Sequence, residues 1–379
     1  MTDVDITSRT SGTHNSVWVR DAASARRIFL CQWLCAFPAL LWACYAIGRQ
    51  SLRVMAANEI APMDGWRQWL IGSVSTYDPN TLWDSWIYGA LYVVPVYLVA
   101  TATVSLWENI FAVWRERPRH PEVFLHALLF TLLCPVALPL WWAALGITLV
   151  MWVRELCGGA GNYRVQPVVA GFLLLAGALS FFGGSSVLPI EGSTYLTLLE
   201  VVQASGFVEI GMHFSWWDTW LGAMPANIGG TAALWLAGGG VLLLGAGIRP
   251  WRLTLGVLLG LAMTVLALDP FLGERAIGTL PWHWHFHLGN TALLVLFLAA
   301  DPVNAPATRS GRWCIGLAIG IAAGLLRLFT PLVEESLLIA IVVGNVLTMG
   351  FDKLSVFRAI RQREARVRAA LAIDPLHSA

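Results

Sequence analysis

A helix that crosses about 30 Å of hydrocarbon needs about 20 consecutive apolar residues. This sequence offers such runs again and again: Ile28–Ile47, Trp86–Trp107, Val165–Phe182, Trp251–Leu268, Leu288–Ala300, Cys314–Phe329 and Leu337–Phe351. Lipid supplies no hydrogen bonds, so an exposed spanning segment must satisfy its own backbone, which a helix does. Charged residues make up only 12% of the chain, against about 25% in a soluble protein. Twenty Trp suit membrane interfaces, where an amphipathic ring sits well. The expected fold is therefore an all-α integral membrane protein. A net charge of +1 gives no basis for nucleic-acid binding. The polar segment Met1–Ser16 lacks the short apolar core and cleavage site of a signal peptide, and reads as a cytoplasmic tail. The six Cys contain no CxxC pair and fall mostly in apolar runs. They read as small buried hydrophobes, not as a disulfide framework.

The basic residues set the expected orientation. Arg9, Arg20, Arg26 and Arg27 precede the first run, Arg115, Arg117 and Arg119 follow the second, and Arg154 and Arg164 flank a glycine-rich break. Arg249 and Arg252, then Arg309 and Arg312, mark two further turns, and Lys353, Arg358, Arg361, Arg363, Arg366 and Arg368 crowd the C-terminal segment. With the N-terminus inside and Pro121–Val153 going out and back, 19 of the 24 Lys and Arg fall on the inner side. The positive-inside rule favours this arrangement, about ten transmembrane helices with both termini cytoplasmic. The expected division is a tail at 1–27, one polytopic membrane domain at 28–352 with an outer loop at 183–227, and a basic tail at 353–379. Two stretches are interrupted: Pro121–Val153 at Cys134-Pro135 and Leu138-Pro139, and the late stretch at Thr330-Pro331 and Glu334-Glu335. Proline breaks the helical ladder. Paired interruptions in the two halves of a membrane chain point to an inverted repeat around a midplane site.

Several segments could carry chemistry, each with a plainer reading beside it. Glu155-Leu156-Cys157-Gly158-Gly159-Ala160-Gly161-Asn162 lets backbone approach a ligand closely, or is a simple turn. Glu191-Gly192-Ser193-Thr194-Tyr195-Leu196-Thr197 is by composition a Ser/Thr turn that opens a short helix. Pro225–Thr231, with Gly229, Gly230 and Thr231, suits either close packing or a flat ligand. His283 and His287 would share a helix face if a helix began that early, but an interface belt is the plainer account. Glu108, Glu155, Asp301, Glu335 and Asp352 lie near helix ends, where an acid is either functional or paired.

In order along the chain, these segments resemble the NqrB-type subunit of the sodium-translocating NADH:quinone reductase, with the RnfD-type subunit of the Rnf electron-transport complex as a related protein. The resemblance is carried by Arg20-Asp21 with Arg26-Arg27, Gly89-Ala90-Leu91-Tyr92, Trp107-Glu108, Leu138–Ile147, Glu155–Asn162, Asp301–Val303, Gly311–Trp313 and Asp352. A long first outer loop with Gly65-Trp66-Arg67 favours the reductase type. The chain departs from the family pattern at Glu191-Gly192-Ser193, Gln166-Pro167, Gly229-Gly230-Thr231, where an acid is lost, and Val333-Glu334-Glu335-Ser336.

The resemblance implies a bacterial inner-membrane flavoprotein in an electron-transfer complex that also includes other subunits, quinone and Na+ or H+. It implies FMN joined through its phosphate to Thr194, beside Ser193, on the side where the family's flavin-transfer enzyme works. It further implies a riboflavin near the opposite side. Gly158, Gly159, Gly161, Asn162, Gly229 and Thr231 are the expected cofactor contacts, and Glu155, Asp301 and Asp352 the expected ion path. No soluble NADH domain is present, so NADH oxidation falls to a partner. The alternatives are a flavin-free transporter or channel of similar fold, and a non-catalytic scaffold.

Overall fold

The computed structural model describes residues 22–59, 66–182, 188–190, 195–207, 214–272 and 276–373. Ser193 and Thr194 lie outside them. Among the described residues there are helices and turns and no strands. The helices are α1 (Ala22–Asn58), α2 (Trp66–Val74), α3 (Leu82–Trp114), α4 (Glu122–Leu133), α5 (Leu140–Leu156), α6 (Pro167–Phe182), α7 (Leu198–Ser205), α8 (Trp216–Trp220), α9 (Ala233–Gly245), α10 (Trp251–Leu272), α11 (Thr291–Leu293), α12 (Arg309–Phe329) and α13 (Ser336–Ile373). α11 continues as a π-helical turn over Leu294–Ala299.

Five helices are long and apolar enough to cross a membrane: α1, α3, α10, α12 and α13. The chain is a multi-pass membrane protein. The expectation of ten crossings adds α4, α5, α6, α9 and the Thr291–Ala299 segment. These are shorter; α4 has 12 residues and reaches only about 18 Å. The sequence-based tails are partly helical, since α1 begins at Ala22 and α13 runs to Ile373.

Both expected interruptions are present. α4 stops at Leu133, and α5 begins only after Pro139. The freed carbonyls at the end of α4 are met by other segments. Gly229 N donates to Leu132 O (2.6 Å), Ile228 N donates to Cys134 O (3.1 Å), and Asn290 Nδ2 donates to Leu133 O (3.4 Å). A broken helix is tolerated at membrane depth only when its carbonyls are satisfied in this way. The second break, 330–335, separates α12 from α13. Thr330 Oγ1 bonds back to Leu326 O (2.7 Å), and Ser336 Oγ to Val333 O (2.8 Å).

Glycine sets a close helix crossing. α10 and α12 meet along Gly256, Gly260, Gly316 and Gly320. A Cβ on Gly256 would lie 3.0 Å from Gly316 Cα, and one on Gly316 would lie 2.6 Å from Leu253 O. Small residues allow this backbone contact, the usual basis of helix association in lipid.

The connecting segments gather at two ends. A separate apolar cluster joins Leu199 and Val202 of α7 to Ile277, Leu280, Trp284, Leu328 and Val333. It unites segments that the charge pattern assigns to the outer side. At the other end, Arg115 pairs with Glu155, Tyr163 with Asp301, and Ala307 with Asp352. Those segments are all assigned to the inner side.

Candidate functional site

At the end that the charge pattern assigns to the inner side, three carboxylates and three arginines from α3, α4, α5 and the α3–α4 turn form one buried network. Arg154 is fully buried. It contacts Glu155 (2.6 Å), Glu122 (3.4 Å) and Glu108. Arg117 reaches Glu108 (2.7 Å) and Glu155 (2.8 Å), and Arg115 reaches Glu155 (3.1 Å). The remaining acceptor capacity is taken by backbone. His120 N donates to Glu108 (2.7 Å), and Gly161 N donates to both oxygens of Glu122 (3.1 Å each). A buried charge survives when it is paired and hydrogen-bonded. This cluster pairs every one of its acids, while the buried Nε atoms of Arg117 and Arg154 and Glu155 Oε2 have no hydrogen bond.

The network holds the glycine turn. Gly158, Gly159 and Gly161 have φ of +136°, +83° and +70°, conformations open to glycine at little cost. The turn leads into Asn162 and Tyr163, which line a cavity of about 580 Å³ with Arg164, Asn304, Asn345, Thr348 and Asp352 among others. Asp301 stands behind this wall. It accepts from Tyr163 Oη (2.8 Å), Gln166 Nε2 (3.1 Å) and Val303 N (3.1 Å). Of the three expected ion-path acids, Asp352 lines the cavity, Asp301 holds Tyr163 of its wall, and Glu155 pairs with Arg115, Arg117 and Arg154.

Gly229 and Thr231 are elsewhere. Both are buried against the end of α4, where a Cβ on Gly229 would meet Leu132 O at 2.7 Å and Asn290 Oδ1 at 3.1 Å. They line no cavity with the glycine turn. At the other end, Thr197 caps α7. Its Oγ1 accepts from Glu200 N (3.3 Å), and its own N donates to Glu200 (2.8 Å). The Ser/Thr turn expected before a short helix is therefore there, as a capping box.

The condition for a shared His283–His287 helix face, a helix beginning that early, is not met. Trp282–Phe286 is a 3₁₀ turn, whose period differs from the α-helix. His287 instead pairs with Thr219 (2.5 Å) and stacks on Trp220. Among the described residues no group of three or more His, Cys, Asp or Glu is placed to hold a metal ion.

Sequence reasoning missed Arg154 and Glu122 as partners, and Asn290 and Glu334 altogether as site residues. Asn290 and Glu334 line a smaller cavity, about 200 Å³, with Ser180, Thr197, Glu200, Asn227 and Glu335. Burial pushes the Glu334 carboxyl up to about 7, and the charges of Glu200 and Glu335 act in the same direction. A hydrogen bond from Thr197 and the charge of Arg327 oppose the rise.

The sequence matches the NQR2, RnfD, RnfE family over residues 12–361. The NqrB-type subunit of the Na(+)-translocating NADH-quinone reductase of Pseudomonas aeruginosa is 34% identical, covering 94% of this chain and 90% of its own length. The corresponding reductase subunits of Azotobacter vinelandii and Chromohalobacter salexigens are each 33% identical over 94% of this chain, covering 90% and 88% of their own lengths.

Proposed function

The chain belongs to the NQR2, RnfD, RnfE family, and from that premise we propose that it is the membrane flavoprotein subunit of an ion-translocating NADH:quinone reductase-type complex. In this reading it sits in a bacterial inner membrane with both termini cytoplasmic. Electrons pass from an FMN joined through its phosphate to Thr194 on the outer side, through the membrane, toward quinone. The transfer is coupled to movement of Na+ or H+, and partner subunits oxidise NADH. What carries the reading is the 34% identity spread over 94% of the chain, which preserves the order of segments and not one motif.

The residues present suit flavins at both ends. The inner cavity has a volume within the ordinary range for small-ligand sites. It offers the side-chain amides of Asn162 and Asn345, and Asn345 Nδ2 is buried without a hydrogen-bond partner. Such amides match the alternating donors and acceptors on the polar edge of a riboflavin ring. At the outer end, Arg49 and Arg53 line a cavity of about 530 Å³ with Trp42, Tyr45, Phe214 and Leu188. Leu188–Ile190 leads directly to the Thr194 segment. Arginines beside aromatic rings suit a phosphate and a flat ring.

A bound flavin would supply the electron transfer; the protein supplies position, burial and charge. Asp301 fixes Tyr163 and Gln166, and Glu122 fixes Gly161. Together they hold the inner wall in one shape. The arginine–carboxylate network keeps that wall electrically balanced. Asp352 presents an acid to the cavity, where an ion would meet it.

The test is a tryptic digest of protein made in cells with an active flavin transferase. The Thr194 peptide should carry the added mass of FMN, and Thr194→Ala should abolish in-gel flavin fluorescence. An unmodified Thr194 peptide would defeat the covalent claim. A second reading, a flavin-free transporter, is favoured by the end of the α4 half-helix meeting Asn290, the residue before α11. It requires solute movement in liposomes by protein without flavin absorbance.

A further inference from the structure

We infer that the cavity between α6, α7, α13 and the Gly289–Asn290 turn is a binding site for a dehydrated alkali-metal cation, with Glu334 and Asn290 as its central ligands. The inference deepens the ion-coupled part of the function proposed above, and rests on it only for the physiological ion.

Oxygen-bearing side chains share the lining with apolar ones such as Phe172, Leu179 and Leu338. Ser180, Thr197, Glu200, Asn227, Asn290 and Glu334 all face one space of about 200 Å³. That volume holds a single ion and a few waters, since a water takes about 30 Å³. Hard cations choose carboxylate, carbonyl and hydroxyl oxygen.

Two buried acceptors at the cavity are unspent. Asn290 is 6% exposed, and its Nδ2 is committed to Leu133 O (3.4 Å). Its Oδ1 is out of contact with solvent and has no partner. Glu334 Oε1 is likewise out of contact with solvent and without a partner. Buried polar atoms are nearly always satisfied, and an exception calls for an explanation. The Thr197 hydroxyl beside Glu334 donates to Glu200 Oε2 (3.0 Å), so a cation between Asn290 Oδ1 and Glu334 Oε1 is what would satisfy both.

Charge points the same way. Glu200, Glu334 and Glu335 bring three carboxylates together, and none forms an ion pair with Arg, Lys or His among the described residues. The nearby Arg327 is buried, but its hydrogen bonds go to His285 O (3.0 Å), Thr291 Oγ1 (3.2 Å) and Ser336 Oγ (3.4 Å). The inner cluster neutralises its acids with guanidinium groups; this one does not. The C-terminal end of α4 adds partial negative charge beside Pro135, which also lines the space.

The backbone makes room for Glu334. Gly289 adopts φ +60°, and a Cβ there would lie 2.6 Å from Glu334 Oε2. Glycine at 289 is what lets the carboxylate lie against the chain next to Asn290.

The test uses full-length protein purified in detergent at pH 8, melted in series of NaCl and KCl against choline chloride at equal ionic strength. The melting temperature should rise saturably with NaCl or KCl and not with choline chloride. Glu334→Gln and Asn290→Leu should each raise the half-saturating salt by about tenfold or more, the scale of one lost charged or buried ligand. Thr194→Ala should keep the full response. Equal behaviour in choline chloride overturns the site, and so does an unchanged response in both variants. A wild type that ignores salt while Glu334→Gln alone raises the melting temperature also overturns it, since the carboxylate then binds only a proton. The wild-type series decides the matter even if a variant fails to fold. Flavin absorbance on the same samples separates the two proposals. A cation response without flavin removes only the flavin reading, and flavin without a cation response removes only this site.

Discussion

Replacing Arg154 with Met should be the most damaging single change at the inner end. The side chain is fully buried, and so is Glu122; Glu108 and Glu155 are nearly so. Met fills most of the arginine volume, so the loss is of charge and hydrogen bonds and not of packing. Without Arg154 the three carboxylates face only Arg117 and the half-exposed Arg115, which reaches Glu155 alone, with His120 beside Glu122. Removing one partner of a buried ion pair costs about 3–5 kcal/mol, because the other is left charged and dry. That is about two to nearly four orders of magnitude in the folded-to-unfolded ratio. At about 2 °C per kcal/mol for a chain of this size, the melt followed by Trp fluorescence should fall by about 5–10 °C. Arg115→Met is the control. Its side chain is 45% exposed, so less than about 1 kcal/mol should be lost. The double variant Arg154→Met/Glu122→Gln should recover part of the loss, since it removes a stranded charge. If Arg154→Met melts within about 1 °C of wild type, or no lower than Arg115→Met, the network does not hold the turn as described.

Other outcomes follow from the same geometry. Gly316→Leu should separate α10 from α12, because even a Cβ there falls 2.6 Å from Leu253 O; overpacking of about 1–3 kcal/mol or more should appear as a lower melt and as proteolysis between these helices. Stability in choline chloride should fall as pH rises from about 4.5 to about 7 and then level. Glu334 is raised from 4.5 to about 7 in the fold, so the folded state binds the extra proton across that window. Glu334→Gln should flatten the slope, while Glu335, whose carboxyl burial also raises, supplies any residue of it; Glu200 and Thr197 face the same space, and Arg327 lies nearby. Tyr163→Phe removes a hydrogen bond to a buried Asp301, so non-covalent riboflavin should bind about tenfold more weakly, measured by flavin fluorescence after dialysis.

Much of the scaffold was legible because the bilayer imposes a simple code. The apolar runs Trp86–Trp107, Trp251–Leu268, Cys314–Phe329 and Leu337–Phe351 became α3, α10, α12 and α13. Cys134-Pro135 and Pro139 marked the α4–α5 break because each proline removes a ladder hydrogen bond, although the single prolines Pro38, Pro95 and Pro270 stand inside continuous helices. The run Leu288–Ala300 carries no such mark. It reads as an ordinary apolar span, yet the structure begins it at Thr291 and turns it into a π-helical segment. Its neighbours there are α9, α10 and α13, contacts distant in sequence that no local propensity encodes. The ion pairs were hidden for a related reason. Glu108 and Arg154 are 46 residues apart, and sequence gives no distance between them. The available signal was Arg154 itself, an arginine placed inside an apolar helix. The Glu334-Glu335 doublet was visible as an interruption, but its cavity exists only once Asn290 and Thr197 are brought against it.

If this membrane protein carries flavin, the visible spectrum of the purified chain before and after acid precipitation must show it. The intact protein should absorb as a flavoprotein, with a fraction that stays in the acid pellet as FMN on Thr194 and a second fraction released as riboflavin. No flavin absorbance in pellet or supernatant, from protein made alongside an active flavin transferase, would contradict the flavoprotein assignment.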